Sequence, residues 1–249
     1  MELGIKNKVA LVTGGSRGIG AAICRLLAEE GVDVALTCSS RVQDAERVAE
    51  EIRALGRRAA VFQADVADFK RAEEVVAQVA EKLGGLDILV CNAGVTWDGV
   101  VWKMTEEQWD KVIDTNLKGY FNYNRAASRL LKERHWGRIV NLSSINGLRG
   151  KFAQVNYSAS KGGIIAMSKA LAKELGKFNV TVNVVAPGMV RTEMAENIPQ
   201  EFIDKAINET VLGRIADPRD VAEAVVFLCS ERARHITGEV IKVDGGQYI

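Results

Sequence analysis

The sequence predicts an α/β protein: a seven-stranded parallel β-sheet with helices on both faces. Three observations carry that prediction. Short apolar runs alternate with longer amphipathic segments along all 249 residues, and strands covered on both faces read as continuous apolar runs. Glycine and proline punctuate many of the junctions, where the chain must turn. No composition break, long linker, repeat or low-complexity stretch divides the chain, so residues 1–249 are expected to form a single domain.

The elements follow in order. Residues 9–13 read as a buried strand, and 19–30 as a helix that stops at Gly31. Residues 32–38 are the second strand, followed by a charged amphipathic helix over 42–55 that ends at Gly56. A strand at 59–63 leads to a helix at 69–83, closed by Gly84 and Gly85, and then to a strand at 87–91. Thr105 and Gln108 form a capping box, in which each side chain bonds the other's backbone N–H. It opens a helical stretch to about residue 133, bent near Gly119. A strand at 137–142, a long helix at 155–177 and a strand at 180–185 come next. Asp217 and Pro218 start another helix, with proline in the first turn where no donor is missed. The last strand is 239–243. Residues 187–211 do not fit the alternation. They are expected to rise above the sheet, where such excursions often serve function.

Composition excludes several classes. Lys plus Arg is 33 and Asp plus Glu is 32, a net charge of +1. That leaves no electrostatic case for nucleic acid or for an anionic membrane surface. The two histidines are His135 and His235, and the four cysteines are Cys24, Cys38, Cys91 and Cys229. None of them forms a CxxC or stands near another in metal-ligand spacing, so no metal site or disulfide framework is expected. Lys6, Asn7 and Lys8 interrupt any signal-peptide core, and no run of about 18 apolar residues exists to span a membrane. A reducing, cytoplasmic setting is the expectation.

The first strand runs into Thr13-Gly-Gly-Ser-Arg-Gly-Ile-Gly20. Gly14, Gly18 and Gly20 permit a tight turn and a close backbone approach, and the next helix then offers its N-terminus to a pyrophosphate. The alternative is a merely tight turn, but the strand–turn–helix setting is the one that gives such a motif meaning. Gly15, Ser16, Arg17 and Ile19 complete the candidate loop. In dinucleotide folds an acid near the end of the second strand binds the ribose 2′-hydroxyl. Here that position reads Cys38-Ser39-Ser40-Arg41, with no acid. With Arg17 in the loop, this favours NADP(H); if Arg17 and Arg41 are only solvated charges, the cofactor is NAD(H). Asp65 and Val66 after the third strand, and Asn92, Ala93 and Gly94 after the fourth, fit the adenosine end.

Tyr157 and Lys161 are four residues apart, on one face of a helix. Ser143 and Ser144 end the fifth strand, and Asn116 lies in the bent helical stretch. A carbonyl reduction needs a proton for the nascent alkoxide. Free tyrosine, with a pKa of about 10, gives it up reluctantly near neutrality. An ammonium at Lys161 favours the phenolate, Ser144 can donate to the carbonyl oxygen, and Asn116 could hold a water linking Lys161 to solvent. A chance Tyr-xxx-Lys in a packed helix is the bland alternative. The histidines both precede strands, at the edge opposite the ligand, which leaves Tyr157 as the candidate acid.

Together these motifs, with Pro187-Gly188, resemble the classical short-chain dehydrogenase/reductase family over essentially the whole chain. One departure is Cys91, where the family has asparagine. The resemblance implies a single-domain Rossmann fold, a homotetramer, and a tetrad of Asn116, Ser144, Tyr157 and Lys161. It also implies that Pro187, Gly188, Val190 and Thr192 border the nicotinamide, with a substrate lid at about 190–211. Within the family the chain is similar to reductases of 3-oxoacyl thioesters, carrier-protein linked or CoA linked. Arg149 and Lys151 then either meet a phosphate of the substrate or are solvated loop charges. Arg138 and Lys177 are expected to offer a basic surface to an acidic acyl carrier protein. A reductase of a sugar, steroid or quinone, or a scaffold that has kept the fold, are the competing readings.

Overall fold

The computed structural model describes residues 2–193 and 199–249. Seven strands form one sheet: β1 (Val9–Val12), β2 (Asp33–Cys38), β3 (Ala59–Gln63), β4 (Ile88–Cys91), β5 (Gly137–Leu142), β6 (Val180–Pro187) and β7 (Val240–Val243). All pairings are parallel, in the order β3-β2-β1-β4-β5-β6-β7. This is the doubly wound Rossmann-type order, and its direction reverses between β1 and β4. The helices are α1 (Gly18–Glu29), α2 (Val42–Ala54), α3 (Phe69–Leu83), α4 (Glu106–Ile113), α5 (Gly119–Arg134), α6 (Asn146–Arg149), α7 (Val155–Leu175), α8 (Gln200–Glu209) and α9 (Pro218–Cys229).

Side chains alternate along each strand, so each face has its own core. Ala10 and Val12 of β1 join Ile23, Leu27, Val48 and Val225 from α1, α2 and α9 on one face. Val9 and Leu11 join Val75, Val79, Leu131 and Ile164 from α3, α5 and α7 on the other. The Thr105–Gln108 capping box opens α4, with bonds of 2.9 and 3.2 Å. At α9 the Asp217 N–H donates to Asp220 at 2.9 Å.

Most expected bounds differ from the structure by a residue or two, but three differences matter. The bend placed near Gly119 is one turn of π-helix, Asp114–Lys118, between α4 and α5, a device often found at functional sites. The short helix α6 was not expected at all. Around the expected lid, Val190 bridges to Ala216 and α8 covers Gln200–Glu209, while residues 194–198 lie outside the described residues.

The amino edge of the sheet corrects one expectation. Arg138, at the start of β5, is 1% exposed. Its guanidinium lies 4.4 Å from the Trp136 ring centre and 3.1 Å from Glu231, and Lys8 lies 3.9 Å from the same ring centre. Arg138 therefore offers no surface to a carrier protein. Lys177 is exposed but sits at this same edge, just before β6, over the Phe178 ring. Neither faces the ligand end of the strands.

Candidate active site

A cavity of about 480 Å³ opens at the carboxyl ends of the strands, where open α/β sheets bind ligands. It brings together Gly14, Ser16, Arg17, Gly18, Ile19 and Gly20 after β1, and Ser39 after β2. Asp65 and Val66 after β3 line it, as do Asn92, Ala93 and Gly94 after β4. Ser144, Tyr157, Lys161, Pro187, Gly188, Val190 and Thr192 complete the wall, and Arg149 and Lys151 also line it.

The glycine turn fits a pyrophosphate. Gly14 sits at φ +66, and a Cβ there would lie 2.9 Å from Ala93 Cα. A Cβ on Gly20 would lie 2.1 Å from the Gly14 carbonyl oxygen. No side chain caps α1 and no acid lies in its first turn. Its leading N–H groups thus remain open to phosphate oxygens, at the positive end of the helix dipole. Asn92 braces this turn: Nδ2 donates to the Thr13 and Gly14 carbonyls at 3.1 and 3.0 Å.

Two expected site residues do not line the cavity. Gly15 turns inward, where a Cβ would meet Leu36 at 2.7 Å and Cys24 at 2.9 Å, so it is a packing glycine. Asn116, in the π-turn, is fully buried. Its Oδ1 accepts from Val95 N at 2.8 Å, and Nδ2 donates to Val95 O and Ser160 Oγ at 3.0 and 3.2 Å. Its side chain clamps the loop after β4.

Lys161 is 4% exposed, and its ammonium donates to the Leu142 carbonyl at 2.8 Å. The hydroxyl of the fully buried Tyr120 donates to the same carbonyl at 3.0 Å. The ammonium lies 5.2 Å from the Tyr120 ring centre and 5.6 Å from that of Tyr157. Burial strips Lys161 of water and pulls its pKa down to about 7. Tyr157 opens on the cavity, yet the atoms packed around its hydroxyl push its pKa up to about 12, against a hydrogen bond from Ser144. The expectation that Lys161 lowers Tyr157 is thus not met in this arrangement. Burial dominates, and the ammonium is directed to the strand. Ser144 Oγ also accepts from Asn146 N at 3.1 Å, which holds the hydroxyl at the start of α6.

Of the lining residues that escaped the sequence reading, Gln154 and Gln247 are the most informative. Gln154 is 5% exposed and precedes α7. Its Nε2 lies 3.0 Å from both Asp98 oxygens, and its Oε1 accepts from Asn146 at 3.1 Å. Its place three residues before Tyr157, at a helix start, is a local signal that could have singled it out. Gln247 enters from the C-terminal tail, and nothing near it in the chain announces that. His135 caps the far end of α5 and His235 is exposed before β7, away from the cavity. All four cysteines are buried and free. Among the described residues no helix is long and apolar enough to cross a membrane.

Fold and site define a nicotinamide-nucleotide-dependent oxidoreductase acting on CH–OH groups, and comparison with known proteins agrees. A family model described as enoyl-(acyl carrier protein) reductase matches residues 14–247. The 3-oxoacyl-[acyl-carrier-protein] reductase FabG of Staphylococcus aureus (strain Mu50) is 43% identical over 244 residues, 98% of this chain and 99% of that protein. The acetoacetyl-CoA reductase of Rhizobium meliloti (strain 1021) is 44% identical over 243 residues, 97% and 99% of the two chains. A crystal structure from Sinorhizobium meliloti 1021, described as a short-chain alcohol dehydrogenase, superposes with a TM-score of 0.95 at 38% identity, covering 99% of this chain and 98% of that one. The chain belongs to the short-chain dehydrogenase/reductase family.

Proposed function

We propose that the protein reduces a 3-oxoacyl thioester to the 3-hydroxyacyl thioester with NADPH, in the cytoplasm. The observation that carries this reading is Ser144, Tyr157 and Lys161 converging on one cavity with the glycine turn. Bound NADPH would supply the hydride. The phenol of Tyr157, kept protonated by its raised pKa, is a ready donor to the alkoxide oxygen. Ser144 donates to the same oxygen and stabilises its growing charge. Lys161, titrating near neutrality, can pick up a proton and return it to a phenolate that burial disfavours. These protonation states suit reduction; oxidation would need a phenolate, and alkaline pH to form it.

Cofactor choice rests on the end of β2. Ser39, Ser40 and Arg41 line the cavity with Arg17, and no acid stands among residues 38–41. Asp44, a little further on, is engaged by Arg41 at 3.4 Å and by Arg47. A 2′-phosphate at this end would meet hydroxyls and guanidiniums. A homotetramer is part of the proposal, supported by the family and by exposed apolar side chains such as Phe121 on α5 and Phe227 on α9; light scattering reads it directly.

The test is NADPH oxidation, followed by absorbance, with acetoacetyl-CoA and with a carrier-linked 3-oxoacyl chain. Turnover with at least one is expected, with a lower KM for NADPH than for NADH. Turnover only of a sugar, steroid or quinone carbonyl would replace the substrate assignment. Oxidation by crotonyl-CoA alone would move it to the enoyl reaction named by the family model.

A further inference from the structure

Arg149, the last residue of α6, lines the cavity with Lys151 and Gln247. Both terminal nitrogens of its guanidinium lie 3.3 Å from one oxygen, Glu209 Oε2. Glu209 is the last residue of α8, 60 positions away in the chain. Gln247 Nε2 donates to that same oxygen at 3.0 Å, while Gln247 Oε1 accepts from Met189 N at 3.3 Å. Loop, helix and C-terminal tail therefore meet at a single carboxylate beside the cleft.

A carboxylate at a helix C-terminus opposes the helix dipole. What stabilises it here is Gln247 first and then Arg149, which together hold the Glu209 carboxyl below its usual range. The ion pair is partly exposed, Arg149 at 25% and Glu209 at 36%. Solvent screens such a pair, so its loss costs little. The same guanidinium also donates to Asn146 Oδ1 and to the Gln247 carbonyl, each at 3.4 Å, so its nitrogens are all engaged but at long range. A phosphate offers its planar fork two oxygens and more charge. Gln247 keeps its own bond to Glu209 when Arg149 leaves, so α8 need not move for the exchange.

We propose that Glu209 is a specificity-determining residue. It occupies Arg149 until the phosphate of a phosphopantetheine-bearing thioester displaces it, and the cleft thereby discriminates phosphate-bearing ketones from neutral ones. This rests on the thioester reading of the site. The phosphate is common to coenzyme A and to the arm of a carrier protein.

The test compares acetoacetyl-CoA with the neutral acetoacetyl-N-acetylcysteamine. Glu209→Gln is expected to lower the ratio of their KM values about two- to fivefold, the range an exposed ion pair spans. Arg149→Gln is expected to raise that ratio, and the double variant to match Arg149→Gln, because Glu209 acts only through Arg149. A second readout needs no turnover: calorimetric titration with coenzyme A, 4′-phosphopantetheine and phosphate-free pantetheine. Glu209→Gln is expected to tighten coenzyme A and leave pantetheine unmoved. 4′-Phosphopantetheine is expected to tighten as well, because it carries the shared phosphate; if it does not, that phosphate is not what displaces Glu209 and the proposal fails. Equal changes for charged and neutral thioesters, or coenzyme A binding indifferent to Glu209, overturn the proposal and leave the reductase reading standing. Failure to reduce any 3-oxoacyl thioester removes the reading instead, and the titration still decides the role of Glu209.

Discussion

At the amino edge of the sheet, Asp33 lies 2.7 Å from both Arg57 and Arg58, and Arg138 is stacked on Trp136 and paired with Glu231. Burial would raise the Asp33 carboxyl, but the Arg58 donors and the Arg57 charge outweigh it and hold it low. At the carboxyl edge, Lys161 is as buried as Asp33, yet its partner is a neutral carbonyl. One edge neutralises buried charge with opposite charge. The other leaves it uncompensated, and the result is a lysine pulled down to about 7 beside a tyrosine pushed up to about 12. Equal burial thus gives a fixed charge where a counter-ion is supplied and a titratable one where it is withheld, which is where catalytic groups are found.

The largest effect should come from the uncompensated edge. Tyr157→Phe removes the proton donor but little volume, and kcat should fall by about 10³ or more. NADPH binding, followed by fluorescence, should persist; retained turnover would strip Tyr157 of its role. At the compensated edge the effect should be on stability alone. Arg138→Ala empties the place of a buried side chain, while Glu231 keeps its bond from Trp136, and should cost about 2 kcal/mol, read from the urea midpoint. Arg138→Met, of similar length and uncharged, should recover most of it. A drop in kcat per folded molecule in either variant would tie the two edges together and defeat the contrast.

The third effect runs in the opposite direction. Lys161 has a folded value of about 7 against 10.5 for the ordinary lysine. Below 7 both folded and unfolded chains carry the charge, and the cost of burying it is present in full. Between 7 and 10.5 the unfolded chain holds a proton the folded protein has released, so stability rises with pH across that window. Lys161→Met should therefore abolish activity yet stabilise the cofactor-free protein by about 2 kcal/mol at pH 6. The gain should shrink toward pH 9. A gain independent of pH would show that Lys161 is not a buried, uncompensated cation.

What the sequence made legible was local. The strands, the glycine turn and the Tyr157–Lys161 pair are written within a few residues of one another, in periodicities and spacings that any fold of this class must obey. The fate of Arg138 was not legible, because an arginine in an apolar run looks the same whether it points to solvent or stacks on Trp136 under Glu231, 93 positions away. Gly15 looked like its neighbours, and only the proximity of Leu36 and Cys24 shows that it packs inward. Asn116 was found as a residue, but its task depends on a π-turn and on Val95, which no helical periodicity encodes. The Arg149–Glu209–Gln247 meeting joins three segments that are far apart in the chain and cannot be seen until the fold brings them together.

The seat of Lys161 is a main-chain carbonyl, shared with Tyr120. Every amino acid brings the same carbonyl to position 142. No side-chain substitution there deletes the acceptor, so the lining of the cleft is free to drift toward new ketones while the lysine keeps its place. The vulnerable quantity is alignment. Leu142 is matched to Val185 on β6, and a slip of one residue would turn the carbonyl at that position to the other side of the strand. Inheritance of the chemistry is thereby tied to strand alignment, and evolution of the substrate is left to the loops.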